Sequence, residues 1–157
     1  MLPERILAAA VSRGLTIACA ESVTGGDVVS ALIAVPGASD AVAGSAVTYT
    51  IAAKQRVLGV PAELMERYGV VSEEVALEMA RRALALFAAD VAVATTGVAG
   101  PASHGGRRAG TVCVGSVGPS GEHAVTVTHE GDRAAVREAA VGDALGMLLL
   151  ALGETAD

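Results

Sequence analysis

A few short stretches of the chain carry side chains able to do chemistry. Ser22-Val23-Thr24-Gly25-Gly26 lies between an apolar run and an amphipathic one. Such a junction exposes a hydroxyl, leaves N–H groups free at a helix start, and lets Gly25 and Gly26 bring backbone close to a ligand. Ser22 or Thr24 could equally be a helix N-cap, the commonest use of these residue types. Downstream, Thr48-Tyr49-Thr50 is followed by Lys54. Lysine at a strand-to-helix turn is by default a solvated surface residue. In a dry cleft its amine loses affinity for its proton and can take one from a serine hydroxyl.

Thr95-Thr96-Gly97-Val98-Ala99-Gly100-Pro101 reads in two ways. It is an ordinary strand-terminating turn, or a wall of small residues. In the second case Thr96 offers a hydroxyl, and Gly97 and Gly100, with Ala99 between them, admit a ligand close to the backbone. No Gly-Lys-Ser/Thr follows, so it is not a Walker A loop, and no GxGxxG occurs. Arg133 and Arg137, one helical turn apart, share a face that could clamp a phosphate. Solvation, or pairing with Glu138, accounts for them equally well.

These residues need elements to position them. Pro3 to Val11 reads as an amphipathic helix with proline at its start and Gly14 as its stop. Leu15 to Ala20 is a short buried strand, and Asp27 to Val35 a helix stopped by Pro36-Gly37. Ala41 to Thr50 is a second strand, ending near Tyr49, with short helices over 52–58 and 61–68. Ser72 caps a helix that carries Glu73 and Glu74 in its first turn and runs to about Phe87. Val91 to Thr95 is a third strand. Thr111 to Val117 and Ala124 to His129, joined by Gly118-Pro119-Ser120-Gly121, form a hairpin, and a long helix opens at Gly131-Asp132-Arg133. Strands interleaved with helices plus one hairpin predict an α/β fold, a three-layer α/β/α sandwich with a mixed central sheet, in a single domain over 1–157. In such sheets ligands sit beyond the carboxyl ends of strands, which brings Ser22 to Gly26 and Thr96 to Gly100 into one neighbourhood.

Composition removes several alternatives. Of 157 residues, 52% are hydrophobic and 18% charged, which rules against disorder. With one Phe, two Tyr and no Trp, the core must pack by close approach of small side chains. A net charge of −6 without a basic stripe makes nucleic acid a poor partner. No run approaches the ~18 apolar residues of a membrane span, and the N-terminus lacks a signal-peptide layout, so a soluble cytoplasmic protein is expected. Cys19 and Cys113 read as buried free thiols, and the three histidines make no metal-binding spacing. No metal is expected.

Taken in order, the segments resemble the CinA C-terminal domain family. Those that carry the resemblance are Ala20-Glu21-Ser22-Val23-Thr24-Gly25-Gly26, Val35-Pro36-Gly37-Ala38-Ser39, Val47-Thr48-Tyr49 to Lys54 and Gly69-Val70-Val71-Ser72-Glu73-Glu74-Val75-Ala76. Glu78-Met79-Ala80, Thr96-Gly97-Val98-Ala99-Gly100-Pro101, Gly110-Thr111-Val112 and Gly131-Asp132-Arg133 to Arg137 complete the set. The resemblance implies a nicotinamide mononucleotide deamidase that yields nicotinate mononucleotide and ammonia. It also implies the sandwich fold and a homo-oligomer, commonly a dimer. The family's nucleophilic serine falls on Ser22, its tyrosine and lysine on Tyr49 and Lys54, and its hydroxyl before the GxAGP turn on Thr96. The expected mechanism is a Ser–Lys one without metal or redox cofactor. Lys54 activates Ser22, amides near Thr24 to Gly26 hold the oxyanion, Tyr49 orients the lysine or the ring, and Thr96 hydrogen-bonds within the pocket. Two positions depart from the family pattern. Ile51 and Ala52 stand where members usually have Asn-Glu, which removes polar groups close to the proposed base, and Arg108-Ala109 replaces Lys-Pro. The first departure also admits a pyridine-nucleotide-binding regulatory module that no longer hydrolyses its ligand. The apolar composition admits a purely structural oligomerisation domain.

Overall fold

In the computed structural model, which describes residues 1–155, the apolar runs become five strands of one sheet in the order β2-β1-β3-β4-β5. β1 (Ile17–Glu21) lies between β2 (Val42–Val47) and β3 (Val91–Gly97), parallel to both. β4 (Thr111–Gly118) and β5 (Gly121–Thr128) continue the sheet antiparallel, so it is mixed, as expected. α1 (Leu2–Ser12), α2 (Asp27–Ile33) and α6 (Arg133–Ala151) cover one face. The other carries α3 (Ile51–Ala53), which continues as a π-helical turn over Lys54–Leu58, then α4 (Ala62–Tyr68) and α5 (Glu73–Leu86). A 3₁₀ turn, Ala38–Asp40, leads into β2.

Alternation along the central strands decides which helices lie where. Ile17, Cys19, Val91 and Val93 face the α1/α2/α6 layer, while Ala18, Ala20, Ala92 and Ala94 face α5. The alanine face lets α5 descend on the sheet. A Cβ added at Gly115 would meet backbone atoms of Ala76 and Leu77 at 2.5 Å, so helix and strand touch main chain to main chain. The ring of Phe87, the lone phenylalanine, fills the space over Gly44. Both cysteines are free and buried, Cys19 under the α1/α2/α6 layer and Cys113 beside Val71 and Ala76 on the opposite face. Burial raises both thiols' pKa values.

Element boundaries moved where tertiary bonds intervened. β2 ends at Val47, three residues early, because the Thr48 carbonyl is taken by the Lys54 amine and Thr50 turns to cap α3 through its side chain. β3 runs two residues past Thr95 because Gly97 still pairs with Val112 of β4. Ser72 and Asp132 cap α5 and α6 from their side chains, accepting from Val75 N–H and Ala135 N–H. Among the described residues no helix is long and apolar enough to cross a membrane.

Candidate active site

β1 and β3 are adjacent and parallel, so their carboxyl ends deliver Ser22 and Thr96 to the same edge of the sheet. The chain leaves β1 through the turn Ser22–Gly26. Gly25 (φ +62°) and Gly26 (φ +105°) adopt left-handed backbone there, a conformation that costs other residues energy. The Ser22 N–H donates to the Thr95 carbonyl at 3.1 Å, and the Gly25 N–H to the Ser22 carbonyl at 3.1 Å.

Lys54 enters this edge from the first residue of the π-helical turn. It is 1% exposed, and its Nζ donates to Ser22 Oγ at 2.9 Å and to the Thr48 carbonyl at 2.7 Å. Both partners are uncharged, and no carboxylate among the described residues pairs with the ammonium. Burial therefore acts unopposed and lowers the amine's pKa from 10.5 to about 8. At neutral pH about a tenth of the amines are free bases, enough to draw a proton from a bonded hydroxyl.

A cleft of about 370 Å³ opens over the pair, walled by Val23, Tyr49, Thr96, the segment Gly97 to His104, and Arg133. Thr96 Oγ1 donates to the Val70 carbonyl at 3.0 Å, tying β3 to the segment before α5. Gly97 is small for the sake of the neighbouring strand: a Cβ there would lie 2.9 Å from the Thr111 carbonyl oxygen. Ala99 and Gly100 line the cleft, and the Gly100 carbonyl accepts from Arg133 Nη1 at 2.8 Å.

Three expectations change. Of the two roles expected for Tyr49, orienting the lysine or the ring, the first has no hydrogen bond behind it: Lys54 bonds Ser22 and Thr48 instead. Tyr49 is 61% exposed, and its hydroxyl accepts from Arg133 Nη2 at 2.9 Å across the cleft mouth. Arg137 does not join Arg133 as a clamp. It turns to the start of α2, donating to the carbonyls of Val23 (3.1 Å) and Thr24 (3.0 Å) and to Asp27 (2.7 Å), and does not line the cleft. Finally, the Gly25 and Gly26 amides are already engaged, by the Ser22 carbonyl and by the Glu21 carboxylate. The Val23 and Thr24 amides have no acceptor among the described residues, and Val23 lines the cleft. Of the donors expected for an oxyanion, the Thr24 amide is thus unengaged and the two glycine amides are not.

Ile51 is half-exposed, Ala52 is exposed, and neither lines the cleft, so the departure from the family pattern falls outside the lysine's bonded environment. Arg108 is likewise exposed and off the cleft. Sequence reasoning gave His104 no place in the site. It lines the cleft from a small hairpin closed by paired backbone bonds between His104 and Arg107 (3.0 and 2.9 Å). Gly105-Gly106 between those two residues was the available signal. Glu21 carries a signal of its own in the sequence, since a carboxylate ending an apolar strand cannot remain buried without donors.

The model of the CinA C-terminal domain family matches residues 1–152. A CinA-like protein from Anaeromyxobacter sp. (strain K) is 47% identical over 154 residues, covering 96% of this chain and 37% of that protein. The chain thus spans little more than a third of the curated relatives it matches first. The crystal structure of a competence-damaged protein (CinA) superfamily member from Klebsiella pneumoniae 700603 superposes with a TM-score of 0.91 at 34% identity, covering 97% of this chain and 96% of that one. A competence or damage-inducible protein from Enterobacter asburiae gives 0.92 at 35% identity, covering 96% of each.

Proposed function

The chain belongs to the CinA C-terminal domain family, and from that premise we propose that it is an amidohydrolase converting nicotinamide mononucleotide and water to nicotinate mononucleotide and ammonia. One observation carries the reading: a buried amine of depressed pKa bonded to a serine hydroxyl at 2.9 Å, on the floor of a cleft that an arginine borders. A lysine kept only for structure has no need to be dry and proton-poor beside a nucleophile.

The neutral Lys54 amine takes the Ser22 proton as Oγ attacks the carboxamide carbon, forming the C–O bond and placing the charge on the former carbonyl oxygen. The unengaged Val23 and Thr24 amides are the donors available to that charge, and one such donor is worth about 10²–10³ in rate. Collapse breaks the C–N bond, and the Lys54 ammonium gives its proton to the departing nitrogen, releasing ammonia. Water then attacks the acyl-serine, with Lys54 again the base, and leaves a carboxylic acid and free Ser22. Arg133 spends one N–H on Tyr49 and one on Gly100. The rest of its five donors remain for an anionic group such as the nucleotide phosphate.

A coupled ammonia assay against nicotinamide, its riboside, its mononucleotide and the dinucleotide tests the reading. Turnover of the mononucleotide well above the riboside is the expected result; release from none of the four overturns it. The non-hydrolysing alternative rested on Ile51 and Ala52, and with both positions outside the cleft nothing in the site favours it.

A further inference from the structure

We propose that Glu21 is a positioning residue for the hydrolysis: a carboxylate built into the fold that takes the place of a bound anion at the start of α2 and holds the Ser22 turn in its reactive shape. The inference rests on the reading of Ser22 as nucleophile.

Glu21 is the last residue of β1 and is 1% exposed. Its Oε2 accepts from Thr24 Oγ1 at 2.7 Å, Gly26 N–H at 3.0 Å and Val28 N–H at 3.0 Å. Its Oε1 accepts from Val29 N–H at 3.0 Å and Ser45 Oγ at 3.2 Å. No basic side chain among the described residues bonds to it. The carboxylate is held by oriented dipoles alone, which keep it satisfied where a lone buried charge would be costly. All but one of its donors lie on the turn or the first residues of α2, so the charge fixes where that backbone runs. Ser22 is the next residue, and its own amide is anchored to Thr95. Thr24 completes the frame, bonding both Glu21 and Thr95 Oγ1 (2.8 Å).

The arrangement has two consequences. The amides that a substrate phosphate would seek at this helix start are occupied, so the anionic part of a ligand is directed to the Arg133 side of the cleft. And because Gly25 and Gly26 are tied back, the turn keeps only the Val23 and Thr24 amides unengaged, and Val23 is a residue of the cleft wall. A neutral amide at position 21 cannot reproduce this, since its NH₂ must face one set of N–H donors.

The test compares wild type with Glu21→Gln and Thr24→Val, measuring kcat and KM for ammonia release, the melting temperature, and the rate at which a fluorophosphonate phosphonylates Ser22 with loss of fluoride, read by mass spectrometry. Expected is a kcat lower by about 10- to 100-fold, the scale of a misplaced reacting group, with KM within about twofold and Ser22 labelling slowed in parallel. Thr24→Val, which removes only one donor, shows the same split at smaller amplitude, and it carries the test if Glu21→Gln does not fold. A folded Glu21→Gln with unchanged kcat and labelling overturns the proposal. So does a loss lying wholly in KM, or a Thr24→Val variant that matches wild type in kcat and labelling when Glu21→Gln cannot be purified. If wild type labels at Ser22 yet hydrolyses no nicotinamide substrate, and Glu21→Gln slows the labelling, the substrate reading has failed while the positioning role stands.

Discussion

Tyr49 and Arg133, 84 positions apart, are joined at the mouth of the cleft by a 2.9 Å bond from the guanidinium to the phenolic oxygen. The contact gives an otherwise exposed tyrosine a definite place and holds the arginine's remaining donors over the opening. Arg133→Ala should therefore raise KM for the mononucleotide and lower kcat/KM by about 10- to 100-fold, the worth of one charged hydrogen-bonded group. Activity on the unphosphorylated riboside should change far less. Tyr49→Phe should show the same pattern at a fraction of the size. Steady-state kinetics on the two substrates check both.

Ser22→Ala should abolish ammonia release, on the order of 10⁶-fold in kcat as for other activated serines, while leaving the melting temperature within a few degrees. Near-normal turnover in this variant would remove Ser22 from the mechanism.

The pH dependence follows from Lys54. Only the neutral amine can act as base, so kcat/KM should climb with pH and level off above a midpoint near 8, the value to which burial lowers the group from 10.5. Stability moves with the same titration. Between about 8 and 10.5 the unfolded chain holds the proton and the folded chain does not, so folding becomes more favourable as pH rises through that window. Below 8 both states are protonated, and the full penalty of a buried ammonium, on the order of 3 kcal/mol, is present. Lys54→Met should be inactive, and its stability relative to wild type should be greatest below pH 8 and decline toward pH 10.5. Urea unfolding of both proteins at several pH values measures this.

Arg137→Ala should cost stability rather than substrate affinity. The side chain satisfies the Val23 and Thr24 carbonyls and pairs with Asp27, and its removal leaves partly buried acceptors unmet, at about 1–3 kcal/mol. Chemical denaturation should show that loss with KM little changed.

Gly115→Ala tests how closely α5 lies on the sheet. With helix backbone 2.5 Å from the added carbon, neither side can yield without moving a main chain, and a loss of about 3 kcal/mol or more is expected in the same unfolding experiment.

Local patterns in the sequence determined the order of elements and the location of the reactive turn. Apolar runs of strand length, glycine and proline stops, and the side-chain caps Ser72 and Asp132 each act over a few residues, so they are legible without a fold. The Ser22–Gly26 junction was readable for the same reason. Whether Lys54 is buried, which way Arg137 turns and what Glu21 holds were not. The state of Lys54 depends on burial beside a hydroxyl 32 residues away, and the direction of Arg137 on carbonyls more than a hundred residues upstream. Glu21 depends on donors from the next helix and the neighbouring strand. Desolvation and hydrogen-bond satisfaction are sums over whatever surrounds a group, and only the packed chain brings those surroundings together.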